Sequence, residues 1–262
     1  MRGSPTAKRV LMLILVTKFK GGVGATHVAA LLTHGLAQHA PTLLADYEPQ
    51  GDGAQILAVP IQPGHGTVRH FLDGTRPPSQ TLHEITTAPH GYYLAPDRLL
   101  TRPTGQPLCD PDRVRAAAEE AGLAWIVIDT VKLPAPCALA FVESADLVLH
   151  VVANAFGLRT LTHAHRQLTR HARGQVHTVL NRIRKDPSES ALLDELTATA
   201  DPRELRLCPV QVSHDGWVTN ALRHGRSPFS VGNARTTHQT SAALATWVHE
   251  QLPPSKREHE NR

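Results

Sequence analysis

The segment 20–26 reads Lys-Gly-Gly-Val-Gly-Ala-Thr and contains the residue types that bind phosphate groups. Its three glycines within four positions allow the backbone to approach a polyphosphate and to point successive N–H groups at it. A helix that follows directly would add its N-terminal N–H groups and the positive end of its dipole. Thr26 is placed to offer a hydroxyl to Mg²⁺. The segment predicts a nucleotide-phosphate site, and the alternative is a glycine-rich turn that binds no ligand.

Two positions depart from the usual phosphate-binding loop. Ala25 stands where such loops carry a lysine, and Phe19 stands at the first glycine of the GxxxxGK pattern. A charge-assisted contact contributes about 1.5–3 kcal/mol, so loss of the lysine would weaken binding about 10- to 100-fold. Lys132 could restore part of this charge, although we favour a solvated loop residue. We therefore expect a weakened phosphate site.

Carboxylates end two of the predicted strands. Asp46 follows the apolar run PTLLA, and Asp129 follows LAWIVI. Open α/β sheets bind ligands at the carboxyl ends of their parallel strands, where an aspartate can hold Mg²⁺. Either residue alone could be a helix cap or a turn residue. Their order along the chain, after the glycine-rich loop, favours one shared site.

These segments together resemble the ParA/MinD family of deviant-Walker ATPases. The KGGxGK[ST] loop of the family matches residues 20–26 except at Ala25, and its DxDPQG element looks like residues 46–51. Its IIIDTP element looks like residues 126–130, and its Asn-containing strand end looks like residues 180–182. The matches run in family order from about residue 10 to about residue 250, which is nearly the whole chain.

The resemblance implies ATP and Mg²⁺ as cofactors and assigns roles by position. Lys20 would reach across an ATP-sandwiched homodimer to the phosphates of the partner, and Asp46 would orient the attacking water. Thr26 would ligate Mg²⁺, and Asp129 would hold the ion through water. Asn181 would contact the adenine. The remaining nucleotide contacts would come from the loop and the helix start: Gly21, Gly22, Val23, Gly24, Ala25 and His27.

The GGVGAT variant resembles two branches of this family, the pilus-positioning CpaE/TadZ branch and the BcsQ branch linked to cellulose secretion. The implied function is an ATP-dependent dimeric switch with weak hydrolysis that positions DNA or a cellular assembly through a cargo or adaptor protein. Because Ala25 replaces the lysine, a non-hydrolysing scaffold of a pilus, secretion or cellulose-synthesis assembly is the alternative.

Positive charge is concentrated in one stretch of the chain. The whole sequence has a formal net charge of only +4, yet no acidic residue lies between Asp146 and Asp186. Such a concentration is typical of a polyanion site, and the resemblance makes non-specific duplex DNA its ligand. A solvated helix face is the alternative. The cations of this stretch are Arg159, Arg166, Arg170, Arg173, Arg182, Arg184 and Lys185.

Apolar runs alternate with helical patterns along the chain and predict an α/β fold: a doubly wound, mostly parallel sheet with helices on both faces. Strands are expected at 10–19, 41–46, 91–95, 123–130, 145–153, 176–183 and 205–210, and helices at 26–40, 110–121, 158–172, 216–224 and 236–252. Residues 51–107 should otherwise form loops and short helices over one sheet edge. We expect one domain over 10–252, a flexible segment 1–9 and a polar tail 253–262.

Composition agrees with a globular protein, since 41% of the residues are hydrophobic and 19% are charged. Aromatic residues make up only 4%, which disfavours a base-stacking surface. Three widely spaced cysteines without a CxxC pattern indicate a reducing cytoplasm and argue against disulfides and structural zinc. The apolar run 10–16 is too short to span a bilayer, so no stable membrane insertion is expected.

Overall fold

The computed structural model describes residues 11–62, 64–97, 108–153, 161–183, 205–231 and 235–252, together with residues 191, 194, 195 and 198. The strands within these residues are β1 (Met12–Thr17), β2 (Thr42–Asp46), β3 (Leu82–Glu84), β4 (Gly91–Leu94), β5 (Trp125–Asp129), β6 (Leu147–Val152), β7 (Gln175–Ile183) and β8 (Val212–Ser213). The helices are α1 (Ala25–Leu36), α2 (Asp52–Ile56), α3 (Val68–Asp73), α4 (Pro78–Thr81), α5 (Pro111–Glu120), α6 (Pro136–Ser144), α7 (Leu161–His171), α8 (Gly216–Arg223) and α9 (Arg235–Gln251).

The strands form one sheet in the order β3-β4-β2-β5-β1-β6-β7-β8. Every neighbouring pair is parallel except β3 with β4, which is antiparallel. The chain winds from β1 outwards in both directions, so the doubly wound, mostly parallel architecture predicted from the sequence is confirmed. The carboxyl ends of β1, β2 and β5 meet at one edge, which is where such sheets bind ligands.

Alternate residues of the central strands face two hydrophobic cores. Ile14 and Val16 of β1 pack into a core that includes α1 and α9. Leu13 and Leu15 of the same strand pack into a second core that includes α5 and α6. Because both faces are covered, the strands must be apolar at every position, and this explains their unbroken hydrophobic runs.

The predicted strand at 205–210 is wrong. The structure contains only an isolated bridge between Thr178 and Leu207 at this place. Pro209 has no N–H group to continue a ladder, and the sheet is instead extended by β8. The short antiparallel strand β3 and the helix α6 were not predicted. Three predictions fall on residues outside the described ranges. They are the flexible segment at 1–9, the helix start at 158–160 and the polar tail at 253–262.

A disulfide joins Cys109 to Cys137, whose Cα atoms are 5.1 Å apart. This corrects the expectation that the chain contains no disulfide. Cys109 precedes α5 and Cys137 lies in the first turn of α6, and these two helices pack side by side on one face of the sheet. The fold therefore brings together two thiols that are 28 residues apart. Cys208 is a buried free thiol.

The helices in the described ranges include none that is both long enough and apolar enough to cross a bilayer.

Candidate functional site

The glycine-rich loop leaves β1 and leads directly into α1. Gly22 and Gly24 have φ angles of 76° and 78°, a left-handed conformation that costs other L-residues energy. Gly24 caps the helix, and its carbonyl accepts the first helical bond from the Val28 N–H at 3.1 Å. No acidic residue lies in the first turn, so the positive end of the α1 dipole is uncompensated there and can hold an anion.

A cavity of about 820 Å³ opens in front of this loop. Its floor is formed by the loop and the start of α1, and its far wall is formed by α8 and the residues just before it. The lining includes six of the predicted nucleotide-binding residues: Gly21, Gly22, Gly24, Ala25, Thr26 and His27. The volume lies within the range of small-molecule sites.

Asn181 lies behind the loop rather than in the cavity wall. Its side-chain Nδ2 donates to the Val23 carbonyl oxygen at 2.6 Å, and the residue is fully buried. A Cβ on Gly24 would lie 2.3 Å from this nitrogen. Asn181 therefore supports the backbone of the loop, and its predicted contact with adenine stays a prediction.

Arg182 lies at the cavity and not with the other arginines of the basic stretch. Its Nη1 donates to the Gly22 carbonyl oxygen at 3.3 Å, and its side chain lines the cavity. Because a strand rises about 3.3 Å per residue, Arg182 lies roughly 23 Å along β7 from Gln175, and Arg173 lies just before that end of the strand. The exposed Arg166 and Arg170 lie on α7. The structure thus divides the predicted DNA-binding residues; Arg159, Arg184 and Lys185 lie outside its described residues.

Lys18 is the main residue of this edge that the sequence analysis missed. Its side chain is 9% exposed, and its ammonium donates to the Thr130 carbonyl oxygen at 2.9 Å. The same ammonium forms an ion pair with Glu48 and lies 3.8 Å from the Asp129 Oδ1. A lysine that follows an apolar run was the signal in the sequence. Lys20, in contrast, is exposed on the loop.

Asp46 is enclosed below the cavity. It pairs in register with Asp129, its Oδ2 accepts from the Tyr93 hydroxyl at 2.8 Å, and its Oδ1 accepts from the Glu48 N–H at 2.8 Å. A Cβ on Gly53 would lie 3.0 Å from the Asp46 Oδ2, so α2 closes over the carboxylate. Burial, followed by the charge of Asp129, raises the pKa of Asp46 well above its ordinary value.

We expect Asp46→Asn to make the protein more stable at about pH 8, by at least about 1 kcal/mol, the equivalent of roughly one pKa unit. Because the folded pKa is raised, the folded state binds more protons than the unfolded state above the ordinary carboxyl pKa. Stability is then lost as the pH rises, and asparagine removes this loss. Urea unfolding at about pH 4 and about pH 8 measures the difference, which should shrink at the lower pH.

The matched control is Asp52→Asn, an exposed carboxylate of the same cavity. We expect it to change stability by less than about 0.5 kcal/mol at either pH. Equal stability of wild type and Asp46→Asn at the higher pH would contradict the prediction.

His27 provides a neutral imidazole at the cavity wall. Burial, followed by the nearby Arg182 cation, lowers the pKa of His27 to about 4. Its Nε2 is buried and has no hydrogen-bond partner within the described residues. The ring can therefore donate to, or accept from, a ligand at neutral pH.

The residues present fit a phosphate group better than they fit a magnesium ion. Thr26 and Asp129 are suitable oxygen ligands by type, and the Thr26 hydroxyl favours the ionised form of Asp129. The Lys18 ammonium, however, already lies beside Asp129 and Glu48. Nor do the described ranges contain a group of three or more His, Cys, Asp or Glu side chains arranged to hold a metal.

Several solved structures share this fold. The apo structure of McdA from Cyanothece is 14% identical, with 91% of this chain and 100% of that chain covered and a TM-score of 0.70. MinD of Aquifex aeolicus in a MinC:MinD complex is 18% identical, with 94% and 98% covered and a TM-score of 0.71. MinD of Pyrococcus horikoshii with Mg-ADP is 15% identical, with 94% and 100% covered and a TM-score of 0.69. At these identities the likeness is one of fold.

Sequence comparison identifies the branch. No curated protein matches the chain, but the profile of the family described as "Cellulose biosynthesis protein BcsQ" matches residues 11–249. This range includes the loop, both strand-end aspartates and most of α9. Of the two branches that the GGVGAT variant resembles, the BcsQ branch is therefore confirmed. The chain belongs to the BcsQ family, and it shares its fold with McdA and MinD proteins.

Proposed function

We propose that this chain binds ATP in the cavity in front of its glycine-rich loop and acts as a nucleotide-dependent dimeric switch that positions a cellular assembly. The observation that carries the proposal is the pair of left-handed glycines, Gly22 and Gly24, which open the loop amides and the α1 N-terminus to a cavity of about 820 Å³. Among proteins of the same fold, one McdA structure is an ATP complex and one MinD structure holds Mg-ADP.

Charges around the cavity support a phosphate ligand even without a lysine at position 25. Lys132 and Arg182 both line the cavity, and each can offset phosphate charge. Lys20, which the resemblance assigns to the phosphates of the partner subunit, lies on the same loop. Main-chain amides would supply the remaining contacts, as they do in other anion-binding loops.

Calorimetric titration of the protein with ATP tests this proposal. Saturable binding with one nucleotide per chain supports it. Size-exclusion chromatography in the presence of ATP then tests the switch, which requires dimers that are absent without nucleotide. If millimolar ATP produces no heat of binding and no thermal shift, the cavity is not a nucleotide site.

Hydrolysis should be slow for two independent reasons. Ala25 provides no ammonium for the transferred phosphate. Asp46, the residue that would orient water, is fully buried under α2, so water reaches it only if α2 moves.

Ala25→Lys is expected to tighten ATP binding about 10- to 100-fold, which corresponds to one charge-assisted contact. If the chain is a weakened switch, turnover should rise with it, because charge on the transferred phosphate is then compensated. Ala25→Met is the matched control, since it adds a chain of similar length without charge. Calorimetry and phosphate release measure both effects, and equal behaviour of the two variants would contradict the prediction.

The second candidate is a non-hydrolysing scaffold of a cellulose-synthesis, pilus or secretion assembly. The family description names cellulose biosynthesis, and the enclosure of Asp46 favours this candidate. It predicts no turnover even in Ala25→Lys. Turnover that Asp46→Ala abolishes would rule it out.

We also propose that exposed arginines at α7 bind duplex DNA without sequence preference. Arg166 and Arg170 lie on exposed positions of α7, and Arg173 follows it. Phosphate contacts of this kind weaken steeply with salt. Wild type should retard duplex DNA at low salt and much less at high salt, and the low-salt retardation should be lost when the three arginines are changed together to alanine. The control is a triple alanine variant of exposed arginines elsewhere, Arg113, Arg226 and Arg235. Equal retardation by both triple variants would count against this surface.

A further inference from the structure

The end of β1 directs a cation into the carboxylate-rich edge of the sheet. Lys18 is the first residue after β1, and only 7% of it is exposed. Its stem crosses the end of β5, because its ammonium contacts the Thr130 carbonyl oxygen beyond that strand and Glu48 beyond β2. Lysine is among the residues least often buried, so this position requires a specific compensation.

The ammonium has three N–H groups and no acceptor, and protein oxygens surround it. The Thr130 carbonyl oxygen accepts at 2.9 Å, Glu48 forms an ion pair, and the Asp129 Oδ1 is 3.8 Å away. Lys18 is therefore not a relocated version of the lysine that is missing at position 25. Its donors are directed to the carboxylates and the carbonyl rather than to the loop that would hold a phosphate.

These carboxylates need a cation when they are ionised. Asp129 is fully buried, and the groups that favour its ionised form are the Lys18 ammonium and the Thr26 hydroxyl. Asp46 lies opposite it in the sheet register. An unpaired buried carboxylate is strongly unfavourable, and Lys18 is the positive charge that offsets it. By resemblance, this is the charge that a magnesium ion would supply beside Asp129.

We propose that Lys18 is a built-in cation that takes the place of magnesium at this edge, so that the chain binds ATP without a divalent metal. The inference rests on the proposed ATP site and deepens it. A dication close to a fixed ammonium is repelled, and Mg²⁺ also demands near-octahedral oxygen ligands, two of which Lys18 already engages. Nucleotide would then be held by loop amides, Arg182 and Lys132.

The first test compares ATP affinity in EDTA with affinity in millimolar MgCl₂. The ATP affinity of wild type should differ by less than about threefold between the two conditions. Lys18→Gln should bind ATP at least about tenfold more tightly with Mg²⁺, because the carboxylates that Lys18 no longer engages become metal ligands. Lys132→Gln removes an exposed cation from the same cavity. It should bind ATP more weakly than wild type, but with the same affinity in EDTA as in MgCl₂. A gain of about tenfold or more with Mg²⁺ in wild type would overturn the inference.

The second test needs no nucleotide and separates failure of this inference from failure of the ATP site. Thermal unfolding of Lys18→Gln should shift upwards on addition of MgCl₂ alone, because a ligand that binds only the folded state stabilises it. Wild type and Lys18→Arg, which retains the charge, should not shift. If neither wild type nor Lys18→Gln binds ATP, the proposed function fails, but the metal-induced shift still tests the role of Lys18. A shift in wild type, or no shift in Lys18→Gln, would refute the proposal that Lys18 takes the place of magnesium.

Discussion

Gly24→Ala is expected to destabilise the fold by about 3 kcal/mol and to abolish ATP binding, because two costs add at this position. The left-handed φ of 78° disfavours any side chain. The new Cβ would also lie 2.3 Å from the Nδ2 of Asn181, which is fully buried and bonded to the Val23 carbonyl oxygen. Either the loop or Asn181 must move, and both movements displace the amides that face the cavity. Urea unfolding and ATP calorimetry measure the two losses.

Gly22→Ala separates the two costs. Gly22 has nearly the same φ, 76°, but nothing lies within 4 Å of its Cβ position. We expect this variant to lose only about 1–2 kcal/mol, the cost of the backbone conformation. Adding Asn181→Ala to Gly24→Ala should recover part of the stability, since it removes the clashing amide. The interpretation fails if both glycine variants are equally unstable.

Gly35→Val is expected to cost at least about 3 kcal/mol through overpacking of the interface between α1 and α9. A Cβ on Gly35 would lie 2.3 Å from the Ser241 carbonyl oxygen and 2.9 Å from the Ala245 Cβ. The backbone of α9 cannot yield locally, because the Ser241 hydroxyl donates to the Leu31 carbonyl oxygen at 2.8 Å and so ties the two helices together. Thermal and urea unfolding measure the loss.

Gly216→Val is the control for this substitution. Gly216 begins α8, and nothing lies within 4 Å of its Cβ position. The change should therefore alter stability by no more than about 0.5 kcal/mol. A loss as large as that of Gly35→Val would mean that the close contact between α1 and α9 is not the cause.

The residues at positions 18 and 25 bear on the same property of the site. Ala25 removes a cation from the phosphate side of the cavity, and Lys18 provides one on the carboxylate side. The first feature weakens the chemistry of phosphate transfer, and the second provides charge balance without an exchangeable ion. If the chain binds ATP as proposed, both features favour slow turnover of the bound nucleotide.

Most of the fold could be predicted from the sequence because its central strands are buried on both faces. Runs such as residues 123–130 have no polar interruption before the strand-end aspartate, and parallel strands with that pattern require helices on both sides. The edges of the sheet were harder to predict. Only three residues form β3 and only two form β8, so neither carries a period that a pattern could reveal.

The backbone of the site could be predicted from the sequence, but several of its side-chain contacts could not. Loop glycines, the start of α1 and the strand-end aspartates act through their position in the chain, and their spacing is visible in the sequence. Lys18 and Arg182 act through partners that are distant in the sequence. In the sequence, Lys18 is only a charge after an apolar run and Arg182 is only part of a basic stretch, and neither pattern indicates these partners.

The family could be predicted from motif resemblance, and the sheet and the edge that carries the cavity could be predicted from apolar runs and from the spacing of the loop residues. The contacts between charged side chains, in contrast, became visible only in the folded chain. Lys18 and Thr130 are 112 residues apart, and Asn181 and Val23 are 158 apart. Distances of a few ångströms between such segments decide three things: whether a buried lysine meets a carboxylate, whether an aspartate is open to water, and whether two cysteines pair. Electrostatic and hydrogen-bond energies change steeply over those distances, and a one-dimensional pattern does not encode them.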